Sequence, residues 1–172
     1  FTLRLPRIVG AILVGSALSL SGAAYQGVFK NPLVAPDLLG VSSGACVGAS
    51  IAILLHLNSF GVQSMAFISG IIAVAFTIFI PKLIKNNNMT MLVLSGIIVK
   101  GIMDSVMGII KYVADPETEL QSITYWQLGS LTKVLPKDIY TVGPVIVIGT
   151  ILIFLLRWQI NILSLGDREA KT

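Results

Sequence analysis

The chain has 172 residues, 55% of them hydrophobic and 12% charged, with a formal net charge of +4 and a mean hydropathy of +0.88. Soluble domains carry about 25% charged residues, so this composition excludes a soluble enzyme, a disordered segment and a nucleic-acid binder, and leaves an integral membrane protein. The 12 Lys and Arg are scattered between apolar blocks, so the positive charge belongs to loops beside a bilayer and not to a polyanion site.

Five apolar blocks are long enough to span a bilayer as helices: 8–29, 38–57, 60–80, 91–113 and 139–156. A helix needs roughly 20 residues to cross about 30 Å of hydrocarbon. Barrel strands would alternate apolar and polar positions, and stretches such as Ile51–Leu55 and Val145–Ile148 do not. The expected fold class is therefore all-α, a polytopic transmembrane helix bundle. The first block follows Arg4 and Arg7 and ends near the small residues Ser21–Ala24. That pattern is also compatible with a signal peptide, but four further spans follow, so it is read as a span. The chain starts at Phe1 rather than Met, and it is read as a piece of a longer polypeptide.

Helix-stopping residues separate the blocks. Asn31-Pro32 and Pro36-Asp37 part the first two, and Asn58, Ser59 and Gly61 make a tight connection to the third. Pro81 and Asn86-Asn87-Asn88 follow the third block, and Ala114-Asp115-Pro116 close the fourth. The long connection 114–138 is expected on the outer side. Its middle, Leu120–Leu131, is expected to form a short interfacial helix, with Tyr125 and Trp126 at headgroup level. Five spans put the two ends on opposite sides of the membrane. With Phe1 outside, six Lys and Arg fall inside and five outside, so the positive-inside rule does not settle the orientation.

Small residues recur at spacing four in the first block (Ala11, Gly15, Ser19) and in the second (Gly40, Gly44, Gly48). Such stripes let helix backbones approach closely in lipid. Plain packing is the simpler reading, and room for a substrate path is the other.

Lys100 and Asp104 lie near the middle of the fourth block, where each charge costs about 2.5–3.5 kcal/mol on insertion scales. Their i,i+4 spacing puts them on one face, so they are expected to neutralise each other in part. They are either a self-compensated buried pair or the polar lining of a path. Gln26 either caps a helix end or faces a central path. His56 reads as an interfacial histidine and Cys46 as a small buried residue. A single cysteine also excludes an internal disulfide and a cysteine-based metal cluster. No phosphate loop of the GxxxxGK[ST] kind, no Ser/His/Asp set and no His cluster is present, so no catalytic residue, bound metal or cofactor is expected of this chain.

Several segments carry a family resemblance. Leu3-Arg4-Leu5-Pro6-Arg7, Ser21-Gly22-Ala23 with Gln26, and Asn31-Pro32-Leu33-Val34-Ala35-Pro36-Asp37-Leu38-Leu39-Gly40 come first. Leu94-Ser95-Gly96, Tyr125-Trp126-Gln127-Leu128-Gly129-Ser130 and Asn161-Ile162-Leu163-Ser164-Leu165-Gly166-Asp167 follow in order. Together they resemble the FecCD-type permease subunits of type II ABC importers for ferric siderophores, haem and cobalamin. The Asn31–Gly40 element is the most specific, and the matches cover nearly the whole chain.

The resemblance implies an incomplete permease holding the family's second to sixth spans, in the plasma (inner) membrane of a prokaryote, with Phe1 outside and Thr172 in the cytoplasm. It implies an extracytoplasmic substrate-binding protein, a second permease subunit and separate cytoplasmic ATPase subunits as partners, beside the lipid bilayer. Arg4 and Arg7 match arginines that face the binding protein, although membrane-interface anchoring by snorkelling is the other account of them. Asn31 and Leu33 match one inner gate, and Asn88, Met89 and Thr90 a second, unless that Asn-rich segment is only a turn. The fourth block resembles the helix that lines the translocation path, but Lys100 and Asp104 depart from its usual small or apolar pattern. Residues 157–172 match the start of the segment that couples to the ATPase, with Leu163 and Leu165 as apolar anchors, Gly166 as a turn, and Asp167, Arg168 and Glu169 as a polar rim. The implied function is import of a metal chelate, most often a ferric siderophore, with ATP hydrolysis on another subunit. The rival reading is a secondary transporter or channel that uses Lys100 and Asp104 as an ion relay.

Overall fold

The computed structural model describes residues 4–32, 34–85 and 88–165, apart from the side chains of Lys133, Ser164 and Leu165. Every regular element among the described residues is helical: α1 Arg4–Phe29, α2 Val41–Leu54, α3 Ser59–Leu83, α4 Met89–Val113, α5 Glu119–Leu128, α6 Pro136–Leu155 and α7 Arg157–Leu165. Short 3-10 turns cover Pro36–Leu39 and Leu131–Lys133. Two compact units form, one from residues 1–36 and 130–172, the other from 37–129.

Of the described helices, α1, α3, α4 and α6 are long and apolar enough to cross a membrane. The second apolar block differs from the expected 20-residue helix. Its helix α2 has 14 residues, about 21 Å at 1.5 Å per residue, short of the hydrocarbon thickness. The reason is Gly40, which takes the left-handed conformation (φ 73) and ends the 3-10 turn before α2 starts. At the far end His56 is also left-handed (φ 51). The Leu57 N–H there bonds the Ala52 carbonyl, and the His56 N–H bonds Ile53. This is a Schellman-type stop built without glycine. α1 ends the same way, with Lys30 at φ 50 and the Asn31 N–H donating to the Gln26 carbonyl.

Pro81 also departs from expectation. It lies inside α3, which continues to Leu83. So near the helix end it removes a single N–H bond, and the helix tolerates that loss. Asn58 caps α3, its side-chain oxygen accepting the Gly61 N–H at 2.8 Å.

In the unit 37–129, α2 packs tightly on α3. A Cβ on Gly44 would lie 2.5 Å from that of Ala73, and one on Gly48 would lie 2.5 Å from Ser69 Cβ and still closer to the Met65 carbonyl oxygen. The Gly44 and Gly48 stripe is thus a packing surface. Ala11, Gly15 and Ser19 of α1 are exposed. The core of this unit joins Val47, Met107, Ile110, Ala114 and Ile123, with Cys46 half-buried at its edge. Ser50, fully buried, donates to the Cys46 carbonyl at 2.8 Å.

The short helix expected over Leu120–Leu131 is α5, which covers Glu119–Leu128. Before it, Asp115 Oδ1 accepts the N–H groups of Glu117 and Thr118 and the Thr118 hydroxyl. These bonds, the hydroxyl first, hold the Asp115 carboxyl below the usual carboxylate range. Glu119 Oε1 lies 3.5 Å from Nε2 of the exposed His56, which ties the end of α2 to the start of α5.

In the other unit, α6 and α7 pack along α1. Gly10 sits against Val134, Gly143 against Leu13, and Gly27 against Ile160. The Arg157 guanidinium lies 4.3 Å from the centre of the Phe154 ring, within cation–π range. Leu20, Ala23, Gly27, Phe154, Trp158 and Ile160 help to line an apolar cavity of about 580 Å³.

Candidate functional site

The second unit pairs two charges, Asp37 and Lys100, at the turn 37–40. Asp37 Oδ2 accepts Lys100 Nζ at 2.6 Å, and Oδ1 accepts the backbone N–H of Ser42 in the first turn of α2 at 3.2 Å. A carboxylate at that helix N-terminus also meets the positive end of the helix dipole. The direct partner of Lys100 is therefore Asp37, 63 positions away, while Asp104, on the same face of α4, acts on Lys100 through its charge without a direct bond. The i,i+4 order Lys then Asp is the weaker one on a helix, and Asp37 offers Lys100 a direct charge-assisted bond instead.

The same turn is fastened at two more points. The buried Thr77 hydroxyl donates to the Leu39 carbonyl at 3.0 Å and to Ala73 at 3.1 Å. Gly96 lies so close to the Leu38 carbonyl that a Cβ there would overlap it. The turn thus rests in a cradle of α3 and α4, and the pair Asp37–Lys100 closes it.

Helix α4 presents three faces. Gly96, Val99, Met107 and Ile110 are buried against α2 and α3. Ile98, Ile102, Ile109 and Val113 form an exposed apolar face. Between them, at 100° per residue, Lys100, Gly101, Asp104, Ser105, Gly108 and Lys111 share about 140° of arc with the exposed Leu94, Ile97 and Tyr112. Nothing lies within 4 Å of where a Cβ on Gly101 or Gly108 would stand. Lys111 bonds Gln127 Oε1 of α5, and Ser105 bonds back to the Gly101 carbonyl. Asp104 is exposed and makes no ion pair among the described residues. Lys100 and Asp104 lie about 17 Å and 23 Å along α4 from its start, near the middle of the helix, whereas Lys111 lies in its last turn.

The other expected site residues are placed as follows. Arg4 and Arg7 lie exposed in the first two turns of α1. Gln26 is exposed in the last turn of α1, and Asn31 is exposed just beyond it. Asn88 holds the N-cap position of α4, with Met89 and Thr90 exposed in the first turn. Leu163 is exposed on α7, and Leu165 ends that helix. Leu33, Gly166, Asp167, Arg168 and Glu169 lie outside the described residues. Among the described residues, no three of His, Cys, Asp and Glu come together in a way that could hold a metal ion. Asp37, Thr77 and Gly96 were not expected as site residues. Asp37 and Gly96 do lie in segments that carry the resemblance, Asn31–Gly40 and Leu94–Gly96, but nothing in the sequence singled out Thr77.

Long apolar helices, one of them with charged and glycine residues on an exposed face near its middle, define a polytopic helical membrane protein. The profile of the FecCD transport family matches residues 1–172. The chain belongs to this family, and it is a multi-pass protein of the prokaryotic plasma membrane. It is 35% identical over 172 residues to the molybdate import system permease protein MolB of Haemophilus influenzae, covering 99% of this chain and 51% of that one. It is 39% identical to a Helicobacter pylori permease assigned to an iron chelatin transport system, covering 98% of this chain and 50% of that one. It is 38% identical to the hemin transport system permease protein HmuU of Yersinia pestis, covering 98% and 52%. The fold matches an inward-facing structure of an ABC transporter assigned to the metal-chelate type, with a TM-score of 0.91 and 32% identity over 99% of this chain and 55% of that one. The chain spans about half the length of the curated relatives it matches.

Proposed function

We propose that this chain is part of the permease subunit of an ATP-binding-cassette importer that moves a metal chelate, a ferric siderophore first among the candidates, inward across the plasma membrane. The observation that carries this reading is the family match along residues 1–172, supported by named relatives that are permease proteins of import or transport systems. The chain does no chemistry of its own. A second permease subunit completes the path, cytoplasmic ATPase subunits hydrolyse ATP, and an extracytoplasmic binding protein delivers the cargo. The polar face of α4 lines the path. Asn31 and Leu33 form one inner gate and Asn88, Met89 and Thr90 another. Their side chains are short or flexible, so they close a pore without burying a permanent charge. Leu163, Leu165, Gly166, Asp167 and Glu169 pass the ATPase movement to the spans.

Arg4 and Arg7 receive the binding protein. They are three residues apart, so their guanidinium forks share one exposed face and are free to take carboxylates bidentately. Arg4→Glu with Arg7→Glu is expected to weaken binding of the substrate-binding protein to the complete transporter by at least tenfold, and to flatten its salt dependence. Unchanged, salt-insensitive binding in a calorimetric or surface-binding titration would remove these arginines from the interface.

The second reading, a transporter driven by an ion gradient, draws on the Asp104 carboxylate near the middle of α4, which makes no ion pair among the described residues. Its other relay member, Lys100, is held by Asp37, and this weakens it.

A further inference from the structure

Lys100 stands between two carboxylates. It donates to Asp37 Oδ2 at 2.6 Å, and Asp104 acts on it through charge without a direct bond. Asp37 belongs to the turn before α2, and Asp104 lies one turn further along Lys100's own helix. Residues four apart on a helix lie about 5–6 Å from each other, within reach of a flexible lysine side chain. Asp104 is exposed and makes no ion pair among the described residues. Lys100 and Lys111 with Asp37 and Asp104 bring the charge of this region to zero. Moving the Lys100 ammonium from one carboxylate to the other leaves that balance unchanged.

The choice of partner decides how the side chain of residue 37 is held. The next three residues are fixed by contacts that do not depend on charge. Gly96 abuts the Leu38 carbonyl, the Thr77 hydroxyl bonds the Leu39 carbonyl, and a Cβ on Gly40 would lie 3.4 Å from the Lys100 backbone nitrogen. Asp37 is tied to α4 by the ion pair. Upstream of it, six positions lead back to Asn31.

We propose that Lys100 is a two-position latch on the inner-gate segment. This rests on the reading that Asn31 and Leu33 form an inner gate. Bonded to Asp37, Lys100 holds the end of that segment to α4. Bonded to Asp104, it lets the segment go. Asp104 makes release feasible, because a freed ammonium without a partner on this face would be costly. Asp37 and Asp104 are thus positioning residues: each sets where the lysine rests, and through it the freedom of the gate segment.

The test reads that segment directly. In the complete transporter freed of native thiols, Cys46→Ala among the changes, Ala35→Cys carries a nitroxide. Ala35 is exposed and lies between the gate and Asp37. Its electron paramagnetic resonance spectrum separates a slow component, the held segment, from a fast one, the released segment. Their ratio should shift at least about fivefold between the nucleotide-free and the vanadate-trapped transporter, the low end of the usual range for coupled states. Asp37→Asn leaves Lys100 to Asp104 and should give the fast component in both states. Asp104→Asn leaves Lys100 to Asp37 and should give the slow component in both. Each variant keeps one lysine–carboxylate pair, and Asp37→Ser and Asp104→Ser form a second set with the same expected directions. Lys100→Arg keeps both partners and should keep the shift. If the two aspartate variants move the ratio the same way, or either leaves it as in the parent, the latch is overturned and the gate reading stands. If the parent shows no shift with nucleotide, the segment does not move in the cycle. The gate reading then fails and takes the latch with it.

Discussion

Gly96→Ala is expected to destabilise the unit 37–129 by about 2–3 kcal/mol, the upper part of the usual cost of overpacking. The added methyl would overlap the Leu38 carbonyl. What it meets is backbone, in a turn already fixed by Thr77 and Asp37, so no side chain is available to swing aside. Gly48→Ala is expected to be comparably damaging, since its methyl would meet the Met65 carbonyl and the Ser69 Cβ. Gly101→Ala and Gly108→Ala provide the contrast. Both sites are open, and exchanging a mid-helix glycine for alanine gains about 0.5–1 kcal/mol. Thermal unfolding of the detergent-solubilised transporter should therefore separate the two pairs clearly. Equal midpoints for Gly96→Ala and Gly101→Ala would contradict the close approach of α4 to the turn.

Lys100→Met alone is expected to do more harm than Lys100→Met combined with Asp37→Asn. The single change leaves a carboxylate at membrane depth without its cation, and an unpaired buried charge costs more than the pair was worth. Both side chains are partly exposed in this chain, 46% for Lys100 and 34% for Asp37, so the coupling energy is set at about 1–3 kcal/mol, below the full figure for a buried pair. Exchanging the charges, Asp37→Lys with Lys100→Asp, should restore only part of the loss. Position 37 also accepts the Ser42 N–H at the start of α2, and a lysine there has no acceptor and opposes the helix dipole. A double-mutant cycle on unfolding midpoints and cargo uptake checks this. Additive single effects would mean that the two residues act independently.

The long helices were legible because apolar length and helix-stopping residues are local properties. Asn58 and the turn at Asp115 announce their helix starts by side-chain chemistry alone. The shortness of α2 was not legible. The block 38–57 is apolar throughout, and hydropathy does not register that Gly40 leaves the helical backbone. Nor did the pattern reveal that Lys30 and His56 take left-handed conformations where glycine is the usual choice. Pro81 misled in the opposite direction, since α3 continues two residues beyond it despite the lost N–H. The ion pair was the largest miss. Spacing along the chain offered Asp104 as the partner of Lys100, and the true partner comes from a turn that only tertiary packing delivers.

The proposed function was legible only through resemblance. The motif from Asn31 to Gly40 points to its family, yet the physical reasons for Asp37 and Gly40 in it, a pair with α4 and a left-handed corner, emerge only in three dimensions. The spans themselves would suit many transporters.

Energy coupling discriminates most directly between an importer driven by ATP and a carrier driven by an ion gradient. The complete transporter, reconstituted in proteoliposomes with its binding protein and ATPase subunits, is assayed for uptake of labelled ferric chelate. Uptake should require ATP on the ATPase side and persist when a protonophore collapses the proton gradient. Uptake that continues without ATP and stops with the gradient would contradict the account.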